Sequence, residues 1–191
     1  MELGVLDQSP IAGGGDAASA LADSVRLARH AEALGYARYW VAEHHGSSAF
    51  AGAAPEILMG QILAGTERIR VGSGGVMLMH YSPYKVAETV GMLAALYPGR
   101  VELGIGRAPG SDGITAAALA YGSRIGLDYF PAKVADLAAF LRGAPPVTDA
   151  FRTVRLTPRP DPAPDLWVLG SSASSATLAA HFGLPFCFAH F

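Results

Sequence analysis

An apolar run, Val41-Ala42, ends abruptly in Glu43-His44-His45, one carboxylate followed by two imidazoles. A neutral imidazole with an ordinary pKa of about 6.5 can move a proton near neutral pH or hydrogen-bond a reactive ligand. Adjacent side chains on an extended chain point to opposite sides, so His44 and His45 do not chelate one metal unless the backbone turns there. The helical zinc spacing of histidines at i and i+4 is absent, and no metal site is expected. The competing reading is that these are satisfied structural groups closing a strand.

Three further segments carry comparable chemistry. Ser73-Gly74-Gly75 interrupts a run that otherwise reads as strand. Glycines there mark a bulge, a special backbone, close approach of a flat ligand, or tight packing under a helix. Gly104-Ile105-Gly106-Arg107-Ala108-Pro109-Gly110 is not a dinucleotide fingerprint, because the third glycine falls one place late and Pro109 interrupts a helix start. It does set a turn beside a permanently charged guanidinium, so Arg107 could grip a phosphate or stand as a surface arginine. Gly170-Ser171-Ser172-Ala173-Ser174-Ser175 opens a helix after an apolar run. Free N–H groups and hydroxyls at such a start suit a phosphate, and they equally suit ordinary serine capping. With Arg107 in the same sheet, phosphate is the better reading.

The elements that must position these residues follow from periodicity. Short apolar runs alternate with amphipathic stretches, the pattern of a parallel sheet with crossover helices, and about six strands are expected. The expected strands are 3–6, 38–42, 70–77, 101–105, 166–169 and 186–190. Helices are expected from Asp16 to Gly35, with Leu21, Val25, Ala28, Ala31 and Leu34 inward, and over 55–65, 83–96, 131–141 and 174–182. Between Gly106 and Asp165 only the helix over 131–141 stands out, and the proline-dense remainder reads as irregular loop. In such folds ligands sit where the carboxyl ends of the strands meet the following loops, so the polar strand ends converge on one site.

The 191 residues, 51% hydrophobic and 16% charged, read as one globular domain over 1–191. A net charge of −2 with scattered basic residues argues against a nucleic-acid surface. No run is long and apolar enough to span a bilayer, and the start does not resemble a secretory signal. Cys187, the single cysteine, sits in an apolar run and reads as a buried core thiol, so a cytoplasmic location is the simplest. A closed barrel of eight strand-helix units needs about 250 residues. The chain stops about two units short of that length, which leaves two sheet edges needing cover and makes oligomerisation an expectation.

Taken together the segments resemble the bacterial luciferase-like flavin monooxygenase family. The resemblance runs in order through Leu3-Gly4-Val5-Leu6-Asp7, Tyr39-Trp40-Val41-Ala42-Glu43-His44-His45, Ile69-Arg70-Val71-Gly72-Ser73-Gly74-Gly75-Val76, Pro98 to Arg107, and Trp167-Val168-Leu169-Gly170-Ser171-Ser172. It implies an α/β TIM-barrel-like fold, incomplete here, that uses reduced FMN from a separate flavin reductase to activate oxygen as a flavin hydroperoxide and oxidise a small organic substrate. His44 matches the family's catalytic histidine and Glu43 lies in its flavin pocket. Gly74 and Gly75 match a cis peptide beneath the flavin ring. Arg107, Ser171, Ser172 and Ser175 match the phosphate-binding region, with Arg124 or Lys133 as a further basic partner. Small residues of the second and third helices (Ala53, Ala54, Gly60, Ala64, Gly91, Ala94, Ala95) match a homodimer face. Met77, Met79, His80 and Tyr81 hint at an apolar substrate wall. The alternatives are a non-catalytic flavin-binding or scaffolding remnant that works as an oligomer or with a full-length partner, and a deazaflavin-dependent oxidoreductase.

Overall fold

The structure, a computed structural model, describes residues 1–107, 111–121 and 129–190. Six strands, β1 (Gly4–Asp7), β2 (Arg38–Val41), β3 (Arg70–Met77), β4 (Val101–Gly106), β5 (Asp165–Gly170) and β6 (Phe186–Phe188), form one sheet in sequence order. Every neighbouring pair is parallel, so each connection must cross back over the sheet, and helices do this. These are α1 (Ala17–Ala33), α2 (Pro55–Gly65), α3 (Pro83–Leu96), α4 (Gly113–Ala120), α5 (Phe130–Arg142) and α6 (Ala173–Phe182).

Local chemistry sets the helix starts. Asp16 caps α1 through a reciprocal box with Ser19, and prolines open α2 and α3 where a missing N–H costs nothing. The inward face of α1 is Ala20, Ser24, Ala28 and Ala31, whereas Leu34, expected to be inward, is 67% exposed just past the last turn.

Alternate strand residues face opposite sides of the sheet. Tyr39, Val41, Val71, Leu103, Ile105 and Val168 are essentially buried and join Ile62, Leu63, Val90 and Leu137 of the helices in the core. The other face carries Arg38, Trp40, Arg70, Glu102 and Trp167. Fully buried Glu102 accepts a hydrogen bond from Trp40 Nε1 at 2.5 Å and pairs with Arg70 at 3.2 Å and Arg38 at 3.4 Å. The Arg38 guanidinium lies 5.2 Å from the Trp167 ring centre. This floor of charge and indole lies at the end of the sheet opposite the polar strand ends.

The proline-dense segment is irregular, as expected, apart from one short turn at Asp149–Phe151, and it is tied to α5 where the Asp136 carboxylate accepts the N–H of Thr148 at 3.0 Å and its hydroxyl at 2.6 Å. Two expectations are corrected. A short helix, α4, lies where only one helix was expected between Gly106 and Asp165. Asp112 caps it, but its run GITAAALA has no polar face to reveal a period and buries only Ala116. Cys187 is half-buried rather than a core residue, because β6 is an edge strand of three residues. Among the described residues β1 and β6 each have one unpaired side, and Leu3, Leu6 and Phe188 stand about half exposed there.

Candidate functional site

The segment after β2 is held as a loop that presents His44. An antiparallel bridge joins Pro10 to Phe50, Ile11 N–H donates to the Ala49 carbonyl at 2.8 Å, and His44 N–H donates to the Gly52 carbonyl at 2.8 Å. The imidazole of His44 stacks on Phe50, with ring centres 4.6 Å apart and planes at 26°. Its Nδ1 is buried with no hydrogen-bond partner among the described residues. Burial, reinforced by neighbouring His45, holds its pKa below the ordinary value, and the Glu43 carboxylate only partly opposes this. His44 is therefore neutral near pH 7, with both proton-accepting and hydrogen-bonding capacity.

Glu43 is turned inward. Its carboxylate is 4% exposed as a residue and receives the Met77 N–H at 3.0 Å, the Tyr81 hydroxyl at 2.6 Å and His45 Nε2 at 2.7 Å. An ionised carboxylate only accepts, so the proton of His45 sits on Nε2. Burial and the bond to Glu43 push the Tyr81 hydroxyl pKa up, so it stays a donor. His44 and His45 thus diverge, as adjacent residues on an extended chain do.

Below His44, β3 carries a bulge. Ser73 pairs with Leu103 and Val76 with Ile105, so Gly74 and Gly75 together oppose the single residue Gly104. The Gly74-Gly75 peptide is cis. Side chains are excluded here: a Cβ on Gly75 would lie 2.8 Å from the Gly104 carbonyl oxygen, and one on Gly74 would lie 2.5 Å from Leu6 Cδ1. The result is a bare patch of backbone between Leu6 and β4.

Arg107 follows β4 and reaches the start of α6, where its guanidinium donates to Ser174 Oγ at 3.1 Å. Ser172 caps α6, and its hydroxyl lies 2.9 Å from Ser174 Oγ and 3.2 Å from Ser175 Oγ. A guanidinium, three hydroxyls and the free N–H groups of a helix start therefore stand together.

One cleft of about 380 Å³ is lined by eight of the candidate residues, Glu43, His44, Gly74, Gly75, Arg107, Ser171, Ser172 and Ser175. Gln8 and Ala189 also line it, without any motif to announce them. Ser174, which orients Arg107, was legible only as one serine in a run. Of the residues read as a substrate wall, Met77 lines the cleft, Met79 is buried in the core, and Tyr81 is turned to Glu43. Lys133 does not reach the serines. Its ammonium donates to the carbonyls of Leu78 at 3.3 Å, Met79 at 2.8 Å and Tyr81 at 2.9 Å, and burial lowers its pKa. Arg124 lies outside the described residues. Within the expected dimer face, Gly91 and Ala94 turn inward, Gly91 against the Pro158 carbonyl and Ala94 only 3% exposed.

Comparison with known proteins agrees with this arrangement. The pattern defining luciferase-like monooxygenases matches residues 1–191. The N-acetyl-S-alkylcysteine monooxygenase of Bacillus subtilis is 45% identical over the whole chain, which covers 57% of that protein. The crystal structure of apo-MsnO8 superposes with a TM-score of 0.91 at 45% identity, over 99% of this chain and 55% of that one. The oxygenating constituent of 3,6-diketocamphane monooxygenase from Pseudomonas putida, solved with FMN, shares the fold with a TM-score of 0.78 at 18% identity, over 97% of this chain and 56% of that one. The chain thus spans little more than half the length of the proteins it matches.

Proposed function

The chain belongs to the luciferase-like monooxygenase family, and from that premise we propose that it binds reduced FMN in the cleft between β2, β3, β4 and α6 and serves oxygenation of a small organic substrate. The observation that carries this reading is the convergence of these eight candidate residues on one cleft.

The residues present fit FMN. Gly74 and Gly75 line the cleft with backbone that carries no side chain, a surface a flat ring can lie against. Arg107, Ser172, Ser174 and Ser175 at the start of α6 offer charge-assisted donors to a terminal phosphate. His44 lines the cleft, and its buried Nδ1 has no partner among the described residues. Reduced FMN, when bound, would supply the electrons that divide O2, one oxygen atom going to the substrate and the other leaving as water. His44, neutral near pH 7, would donate or accept the accompanying proton, while Met77 and Leu169 would exclude water from the apolar side. The reduced flavin would come from a separate flavin reductase in the cytoplasm, and N-acetyl-S-alkylcysteines are the first substrates to try, given the name of the Bacillus relative.

The decisive experiment is anaerobic titration with reduced FMN and reduced riboflavin, followed by oxygen. FMN is expected to bind more tightly than riboflavin, since only FMN engages Arg107 and the serines. Arg107→Ala should weaken FMN by roughly 10- to 100-fold, the worth of one charged hydrogen bond of about 1.5–3 kcal/mol, and leave riboflavin unchanged. Equal loss for both ligands would remove Arg107 from the phosphate site. Binding without turnover would mark a flavin-binding module that acts with a partner.

A further inference from the structure

The most connected set of side chains outside the cleft is the one behind its wall. Lys133 of α5 gives all three ammonium protons to carbonyls of the turn at residues 78–81, and that turn delivers two groups to Glu43, the Met77 N–H at its start and the Tyr81 hydroxyl at its end. Glu43 is the residue immediately before His44. The segment that carries His44 is thus pinned from below by Glu43 and from above by Phe50 and the Gly52 carbonyl.

We propose that Tyr81 is a positioning residue for His44, acting through the Glu43 carboxylate, and that Lys133 holds the turn that aims it. The inference rests on the reading of His44 as the group that faces the flavin. Tyr81 does not line the flavin cleft; its side chain lies on the far side of Glu43, beside the cavity formed by Glu56, His80, Lys85 and the valines of α3. Removing only the hydroxyl takes away one of the two long-range ties of Glu43, leaving Oε2 with the Met77 N–H and Oε1 with only His45, two residues along the chain. The end of β2 then loosens, water reaches His44, and the burial that depresses its pKa weakens. The charged or titratable groups around His44 are Glu43 and His45 beside it and Arg107 in the same cleft; Tyr81→Phe substitutes none of them, but takes a hydroxyl from Glu43 Oε1 at 2.6 Å and from the side of His45 Nε2 at 3.3 Å.

The test is an NMR titration of the His44 ring in the flavin-free chain, its resonance identified by its disappearance in His44→Ala. In the wild type the midpoint is expected below the ordinary histidine value, in keeping with the burial of the ring. Tyr81→Phe should raise it by about half a pH unit or more, and Lys133→Met should move it the same way. Tyr84→Phe, which loses a hydroxyl bond to the Arg155 carbonyl remote from the cleft, should leave it unchanged. An unchanged midpoint in Tyr81→Phe, or an equal rise in Tyr84→Phe, would overturn the proposal. Because no flavin is present, that failure is distinct from failure of FMN to bind, which the titration above reads separately.

Discussion

His44 combines a neutral imidazole, a buried Nδ1 without a partner and a fixed ring plane. The unpartnered nitrogen and the resisted proton each cost the folded protein something, while the stack on Phe50 holds the ring in place. The sign of the pH dependence follows from its depressed pKa. Above its unfolded value of 6.5 the ring is neutral in both states and stability is independent of its titration. As pH falls below that value the unfolded chain takes up a proton that the folded chain resists, so stability is lost with falling pH until the folded pKa is passed. His44→Gln removes this term. Urea midpoints measured at about pH 7.5 and about pH 5.5 should show a wild-type decline that exceeds the variant's. In the oxygenation assay the same substitution should lower the rate by about 10²- to 10⁴-fold while FMN still binds, the usual worth of a positioned acid or base. A variant with full turnover would relieve His44 of any part in proton transfer.

At the level of elements, the bulge of β3 against β4 is where sequence and structure meet most closely. A Cβ on Gly104 would collide with the Ser73 carbonyl oxygen, an atom that the sheet prevents from moving. Gly104→Ala should therefore destabilise the fold by about 1–3 kcal/mol, the ordinary cost of overpacking, and displace the Gly74-Gly75 backbone that floors the cleft. A lower urea midpoint with an unchanged slope, together with weaker FMN binding, is the expected result; a midpoint equal to the wild type would mean that the two strands can part without loss. Glycines within an apolar strand announce such a contact, which is why this part of the site was legible. The limits of α2, β3 and α3 were legible for a similar reason, since proline and glycine punctuate them locally. The partners of Glu43 were not. Met77 and Tyr81 lie 34 and 38 residues away, and nothing at position 43 distinguishes a carboxylate facing a ligand from one facing a tyrosine. Lys133 was misread as a phosphate ligand because the three carbonyls it serves belong to a turn that only the packing of α5 brings near. The helix α4, rich in alanine, lacks the polar face by which periodicity is recognised.

For the whole molecule, two surfaces expose large apolar side chains through which copies of the chain could pair. On α2 and α3, Ile57, Met92 and Leu96 are 68%, 56% and 67% exposed, although Gly91 and Ala94, expected to share that face, are turned into the core. At the sheet margins, Leu3 and Leu6 of one edge and Phe188 of the other stand about half exposed beside unpaired backbone groups. A helical face makes a closed, two-fold pairing, whereas strand edges template open-ended association. We expect the helical face to dominate, because Ile57 and Leu96 are more exposed than any of the edge side chains and lose more contact with water when covered. Sedimentation of the chain should then give a discrete dimer, and Ile57→Lys combined with Met92→Lys should convert it to monomer with FMN binding retained, since neither residue lines the cleft. If the double variant instead stays associated, and Leu3→Lys with Phe188→Lys disperses it, the edges are the contact.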